Sequence, residues 1–188
     1  MTTTSVRTGK VVVQAAMSLD GFIAGPGDSM DWVFEFTTPE EFPEIVAATG
    51  AMLSGRRSYD VGQRDAGKPS GEAYGGAWQG PSFVLTHHPP ADPDVTFLSG
   101  DIEAAVATAT AAAGDRDLVV VGSDVAGQCL ERGLVDEILV MVLPVLLGAG
   151  TRFYSSAAAR RVDLEPLGNT RSGSVELLRF GVRKRAGG

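Results

Sequence analysis

The apolar stretches of this sequence are short, and they end abruptly in glycine, serine or threonine. Val11 to Ala16 is β-branched and apolar, as a strand buried on both faces should be. Ala51-Met52-Leu53 ends at Ser54-Gly55, Ser82 to Thr86 is closed by His87-His88-Pro89-Pro90, and Leu118 to Val121 is followed by Gly122. Helical signals lie between them. Thr38-Pro39-Glu40-Glu41 has capping-box spacing with proline at the first helical position, so a helix is expected from Pro39 to about Thr49, with Pro43 delaying its start. Arg56 to Val61 reads as the first turns of a second helix. Asp101 is expected to cap an alanine-rich helix from Ile102 to Ala113 that stops at Gly114, and a fourth helix runs from about Asp124 to Arg132. Strands at Val95 to Leu98 and Glu137 to Leu147, and two polar-alternating strands near Val162 to Leu167 and Val175 to Val182, complete the set. Buried strands alternating with helices predict an α/β fold with a mainly parallel central sheet and antiparallel strands added at the C-terminal end. One domain is expected over residues 10–183, with 1–9 and 184–188 as flexible tails.

Composition narrows the class. Of 188 residues, 44% are hydrophobic and 21% charged, which excludes disordered, collagen-like and coiled-coil chains. The net charge of −7 repels a phosphate backbone, so no nucleic-acid partner is expected. Cys129 is the only cysteine, which leaves no internal disulfide and makes the cytoplasm the expected location. The apolar run Ile138 to Leu147 is half the length of about 20 residues that a membrane helix needs, and no membrane association is expected. His87 and His88 are adjacent in sequence and have no Cys or carboxylate cluster at ligand spacing, so no metal site is expected.

In an open α/β sheet, ligands bind beyond the carboxyl ends of the strands, where helix N-termini present free N–H groups. Three such ends carry suitable residues here: Ser54-Gly55-Arg56-Arg57-Ser58, Thr86-His87-His88 and Gly122-Ser123-Asp124. Glycine admits a phosphate close to the backbone, hydroxyls donate to it, and paired arginines add charge and bidentate bonds. Together they suit a nucleotide with several phosphates; taken singly, Gly55 and Gly122 also read as turn residues and the arginines as a solvated helix start. The stretch Gly62-Gln63-Arg64-Asp65-Ala66-Gly67-Lys68 mimics a P-loop, but Pro69 replaces the metal-binding hydroxyl and no strand precedes it. Residues 62–80 hold six glycines without apolar periodicity and are expected to be a long loop, a mobile lid or rim that carries Tyr74 and Trp78.

Further motifs add to this. Met17-Ser18-Leu19-Asp20-Gly21-Phe22-Ile23-Ala24, Met30-Asp31-Trp32, Gly55-Arg56-Arg57-Ser58-Tyr59, Phe83-Val84-Leu85-Thr86, Gly133 to Glu137 and Pro144 to Gly150 occur in that order. They resemble the riboflavin-biosynthesis (RibD) C-terminal reductase domain family, which shares its fold with dihydrofolate reductase. The resemblance spans about residues 10–182. It implies a dihydrofolate reductase-like fold and a homodimeric, NADPH-dependent reductase of a heterocyclic substrate such as a pterin or a ribosylamino-pyrimidine. Carried over by motif, Gly55, Arg56, Arg57 and Ser58 would hold the NADPH phosphates, with the arginines near the 2′-phosphate. Thr86 and His87 would flank the adenosine half, Ala16 and Ile23 would line the nicotinamide, and Gly122, Ser123, Asp124 and Val125 would cover the pyrophosphate. The sequence departs from the family's usual glycine pair at Val121.

Hydride transfer leaves the protein to align two rings, exclude water and deliver one proton. Asp20, Asp31 and Glu35 are the candidate acids, with Asp31 favoured; Asp20 and Asp31 also read as turn residues bonding their own backbone. Asp20 and Trp32 are assigned to the substrate pocket, and Trp32 alternatively anchors the loop. The strand to Leu147 contains Pro144, which cannot donate to a ladder, so that end is expected at an edge, a bulge or a dimer seam. The named activity is 5-amino-6-(5-phosphoribosylamino)uracil reduction; the alternatives are dihydrofolate reduction or a non-catalytic nucleotide-binding dimer.

Overall fold

A computed structural model describes residues 9–38, 40–155 and 160–184. The chain opens with β1 (Val11–Ser18) and β2 (Phe22–Ala24), then passes through single 3-10 turns at Pro26–Asp28 and Asp31–Glu35. There follow α1 (Pro43–Ala48), β3 (Thr49–Gly55), α2 (Arg56–Arg64), β4 (Ser82–Leu85), β5 (Thr96–Leu98) and α3 (Ile102–Ala113). The C-terminal third holds β6 (Asp117–Val120), α4 (Ser123–Glu131), β7 (Glu137–Leu143), β8 (Thr151–Arg152), β9 (Leu164–Ser172) and β10 (Val175–Val182). Eight strands form one sheet in the order β5-β4-β3-β6-β1-β7-β10-β9. Six are parallel, while β10 runs antiparallel to β7 and to β9. The fold is therefore mixed α/β with antiparallel C-terminal strands, as the order of apolar runs predicts.

Alternation along the strands divides the core into two layers. On one face, Val11, Val13, Leu53, Leu118 and Val120 pack against α3 and α4 through Ala105, Ala109, Val125 and Cys129. The alanines of α3 let that helix lie close to the sheet. On the other face, Val12, Leu139, Leu143 and Leu177 meet Trp32, Val33, Phe42 and Ile45. Cys129 is fully buried, and burial pushes its thiol up to about 12. Among the described residues, no helix is long and apolar enough to cross a membrane, and no cluster of His, Cys, Asp and Glu could hold a metal.

Several boundaries differ from those read in the sequence. The helix expected from Pro39, with Pro43 delaying its start, begins at Pro43, and Pro39 itself lies outside the described residues. Proline at the first helical position lacks the N–H for an upstream turn, and Phe42 before it is left-handed at φ 58°. Thr49, expected to end that helix, already belongs to β3, where it pairs with Asp117. Likewise β7 stops at Leu143, one residue before Pro144. Asp101 occupies the N-cap position of α3, but its side chain makes no capping bond. The expected tails lie outside the described residues except for Gly9 and Lys184, and Lys184 Nζ is tied to Asp136 Oδ1 at 2.9 Å.

Candidate active site

Register brings the three strand ends together. Leu53 pairs with Val120 and Gly55 with Leu85, so β3, β4 and β6 finish side by side. β6 pairs with β1 only as far as Val13, whereas β1 continues to Ser18 along β7. The sheet thus opens beyond Val13 on the β6 side. A cleft of about 1750 Å³ runs from this opening across the strand ends.

The helices α2 and α4 start at its edge. Gly55 and Gly122 stand at their N-cap positions without a side-chain cap, which leaves first-turn N–H groups available to an anion. Gly122 has φ +89°, and a Cβ there would come within 2.8 Å of Ser58 Oγ; a Cβ on Gly55 would meet Val125 Cγ2 at 3.1 Å. Two clusters far apart in sequence thus form one small cradle. Val121 is not among the positive-φ residues and donates its N–H to Leu53 O at 3.0 Å, so replacing the family's first glycine introduces no backbone strain.

The arginines at the start of α2 are already engaged. Arg56 donates from Nε to Asp60 Oδ1 at 2.7 Å and from Nη1 to His88 O at 2.7 Å, which ties α2 to the turn after β4. In that turn, the His88 N–H donates to Thr86 Oγ1 at 3.2 Å. Arg57 makes a forked pair with Asp28, Nε to Oδ2 at 2.8 Å and Nη2 to Oδ1 at 2.5 Å. The Arg57 hydrogen bond holds the Asp28 carboxyl below the usual carboxylate range and raises Arg57 in turn. Asp28 is left-handed at φ 59°, and Arg64 binds the backbone oxygens of Gly27 and Asp28 at 2.8 and 3.1 Å. Asp124 accepts a hydrogen bond from Gln128 Nε2 at 3.0 Å, one turn along α4.

All twelve residues read as cofactor-binding line the cleft: Ala16, Ile23, Gly55, Arg56, Arg57, Ser58, Thr86, His87, Gly122, Ser123, Asp124 and Val125. Asp20, Asp31 and Trp32 are not among the lining residues. Asp20 works as a clip: it accepts from Ser18 Oγ at 2.6 Å and from the N–H groups of Leu147 and Gly148 at 3.1 and 2.7 Å. These bonds, that of Ser18 foremost, hold its carboxyl below the usual range. Asp31 is exposed and accepts from Ser70 Oγ at 2.7 Å. Trp32 is buried in the second core layer and donates Nε1–H to Ser29 O at 3.1 Å.

The cleft lining also includes residues that the sequence reading did not assign to the site. Gln14, Phe34, Glu41, Leu139 and Met141 line the cleft together with Tyr74 and Trp78. Glu41 Oε1 accepts a long hydrogen bond from Ser172 Oγ at 3.4 Å, while its buried Oε2 has no partner among the described residues. Residues 62–80 form a pinned rim: α2 runs into them as far as Arg64, Trp78 Nε1 donates to Thr49 O at 3.1 Å, and the Tyr74 hydroxyl lies 2.9 Å from Thr49 Oγ1.

Comparison with known proteins agrees with this architecture. A putative riboflavin biosynthesis protein from Shewanella sp. PV-4 superposes with a TM-score of 0.75 at 21% identity, covering 93% of this chain and 99% of that one. The Thermotoga maritima diaminohydroxyphosphoribosylaminopyrimidine deaminase/5-amino-6-(5-phosphoribosylamino)uracil reductase gives 0.66 at 17% identity over 94% of this chain, which spans 57% of that protein. Enterococcus faecalis dihydrofolate reductase, complexed with NADP(H) and RAB-propyl, gives 0.65 at 15%, covering 94% and 98%. Likenesses at these identities establish a dihydrofolate reductase-like fold. The sequence model of the RibD C-terminal domain matches residues 9–176, and the chain therefore belongs to the RibD C-terminal domain family.

Proposed function

We propose that this protein is an NADPH-dependent reductase of a pyrimidine- or pterin-like heterocycle. The observation that carries the reading is the cradle at the strand ends: Gly122 against Ser58, two uncapped helix starts beside it, and Arg56 and Arg57 at its rim. A Cβ at Gly122 would fill that space, and the donors around it suit a dinucleotide diphosphate. The N–H groups at the starts of α2 and α4 would hold the pyrophosphate, and Arg56 and Arg57 would hold the 2′-phosphate. Thr86 and His87 would border the adenosine, and Ala16 and Ile23 would form the wall at the nicotinamide. NADPH, when bound, supplies the hydride. The chain holds the heterocycle against it and keeps water away with the Tyr74–Trp78 rim. For the proton, Asp31 is the candidate named from sequence but stands outside the cleft lining, and Glu41 is a second, because its unpartnered oxygen belongs to a cleft-lining residue. The molecule is read as a homodimer.

Fluorescence titration with NADPH and NADH tests the cofactor assignment. The native protein should favour NADPH, and Arg57→Ala should weaken NADPH by about 10- to 100-fold, the effect of losing charge-assisted hydrogen bonds, with little change for NADH. Equal affinity of the native protein for the two cofactors would sink the arginine assignment. NADPH absorbance with dihydrofolate and with the aminouracil ribotide then identifies the substrate. Asp31→Asn and Glu41→Gln in the same assay identify the acid.

A further inference from the structure

Gln14 is a half-buried carboxamide on the cleft wall. It lies on β1 between Val12 and Ala16 on the same face, pairs across the ladder with Leu139, and has no strand beside it on the β6 side, because that pairing ends at Val13. Its neighbours on the cleft floor include Leu139 and Met141. Which end of the carboxamide faces the cleft depends on which end the protein itself bonds.

Only one end is bonded within the described residues. The Tyr74 hydroxyl donates to Gln14 Oε1 at 2.6 Å. Tyr74 is held from behind: its oxygen lies 2.9 Å from Thr49 Oγ1, which also donates to Ile45 O at 2.9 Å. Tyr74 gives its one hydrogen to Gln14, so the single Thr49 hydrogen is shared in a three-centre bond between Ile45 O and the Tyr74 oxygen. Burial pushes the Tyr74 hydroxyl up to about 12, so it remains a donor at any working pH. Tyr74 itself is left-handed at φ 50°, a conformation that a non-glycine residue adopts at a cost. The rim of residues 62–80 is thus bent to deliver one hydroxyl to one amide oxygen. With that oxygen engaged, the amide NH₂ is the end left for the cleft.

We infer that Gln14 determines substrate specificity, donating its amide NH₂ to a carbonyl oxygen on the ring to be reduced, and that Tyr74 is the positioning residue that fixes the carboxamide for this task. The inference rests on the proposed reductase reading for the identity of the ring class, and it adds the feature that is recognised: a ring carbonyl in preference to a ring amino group.

The probes are 5,6-diaminouracil, which carries two ring carbonyls, and 2,4,5,6-tetraaminopyrimidine, in which amino groups replace them. Titration calorimetry at mildly alkaline pH should show that the native protein prefers the uracil by about tenfold, the upper end for one neutral hydrogen bond. Tyr74→Phe should erode most of that preference. Gln14→Glu, which presents a carboxylate oxygen in place of the NH₂, should reverse it in favour of the tetraamine. A purely structural role for the pair would weaken both probes alike and could not reverse their order. Near-UV circular dichroism of each variant checks that the fold is kept, and Gln14→Leu, which preserves the volume, provides a second route to the loss of preference. Equal affinity of the native protein for the two probes, binding of neither, or a preference that survives Gln14→Glu would overturn the inference. Parallel NADPH and NADH titrations keep it separate from the reductase reading. A native protein that shows the ring preference but no NADPH preference would sink the cofactor assignment alone.

Discussion

At Gly122 the chain turns with a backbone conformation closed to L side chains, directly beside the Ser58 hydroxyl. Gly122→Ala therefore combines strain with a close contact and should cost about 1–3 kcal/mol. For a chain of this size that is a fall in Tm of roughly 2–4 °C per kcal/mol, readable by calorimetry, together with weaker NADPH binding. This residue was legible in the sequence because glycine directly after a buried strand has few explanations. The carboxylates were not: Asp20 and Asp31 sit in turn-rich sequence, and whether such a residue faces a ligand or clips a loop depends on contacts made far along the chain. For Asp20 the partners are Leu147 and Gly148, and for Asp31 it is Ser70. Gln14 was hidden for the opposite reason, since one polar residue in an apolar run looks like noise until the strand beside it is seen to end.

The turn at Pro26–Asp28 and the helix α2 are separate elements joined by two arginines, Arg57 on the Asp28 carboxylate and Arg64 on the backbone oxygens. If Arg57 serves the 2′-phosphate, Asp28 competes for it. Asp28→Asn should lower the Kd for NADPH by about two- to fivefold, the effect of releasing one partly exposed ion pair, and leave that for NADH unchanged. A weaker affinity for both would show that the turn supports the site instead. Element boundaries were read least well where proline and sheet pairing disagree with local pattern. Capping-box spacing suggested a long helix, but Pro43 delayed its start and pairing with Asp117 claimed Thr49 for β3. Strand order is a long-range property and could be anticipated only as mainly parallel, because register across β6 and β1 is decided by residues more than a hundred positions apart.

For the molecule as a whole, the sheet carries a core layer on each face, and its titrating groups set the pH range over which these hold. Asp20, Asp28 and Asp65 all have folded-state values below the usual one, from the Ser18 hydroxyl, Arg57 and Arg64 respectively. A depressed carboxylate contributes stability that is present above its unfolded value and is lost as pH falls through the folded one. The Tm should therefore hold steady near neutrality and decline below about pH 4, with a shallower decline in Asp65→Asn. Tyr74 works at the other end. Its raised value favours the neutral hydroxyl, so that contribution is complete below the ordinary tyrosine value of about 10 and disappears as pH rises towards about 12.

The glycine-rich stretch from 62 to 80 is the obvious segment to delete when shrinking this protein. Yet Tyr74 and Trp78 act as two aromatic pegs driven into the first residue of β3. Excising it would free Thr49 and leave the Gln14 amide unaimed, so a shorter version would be expected to lose its choice of ring before it lost its shape.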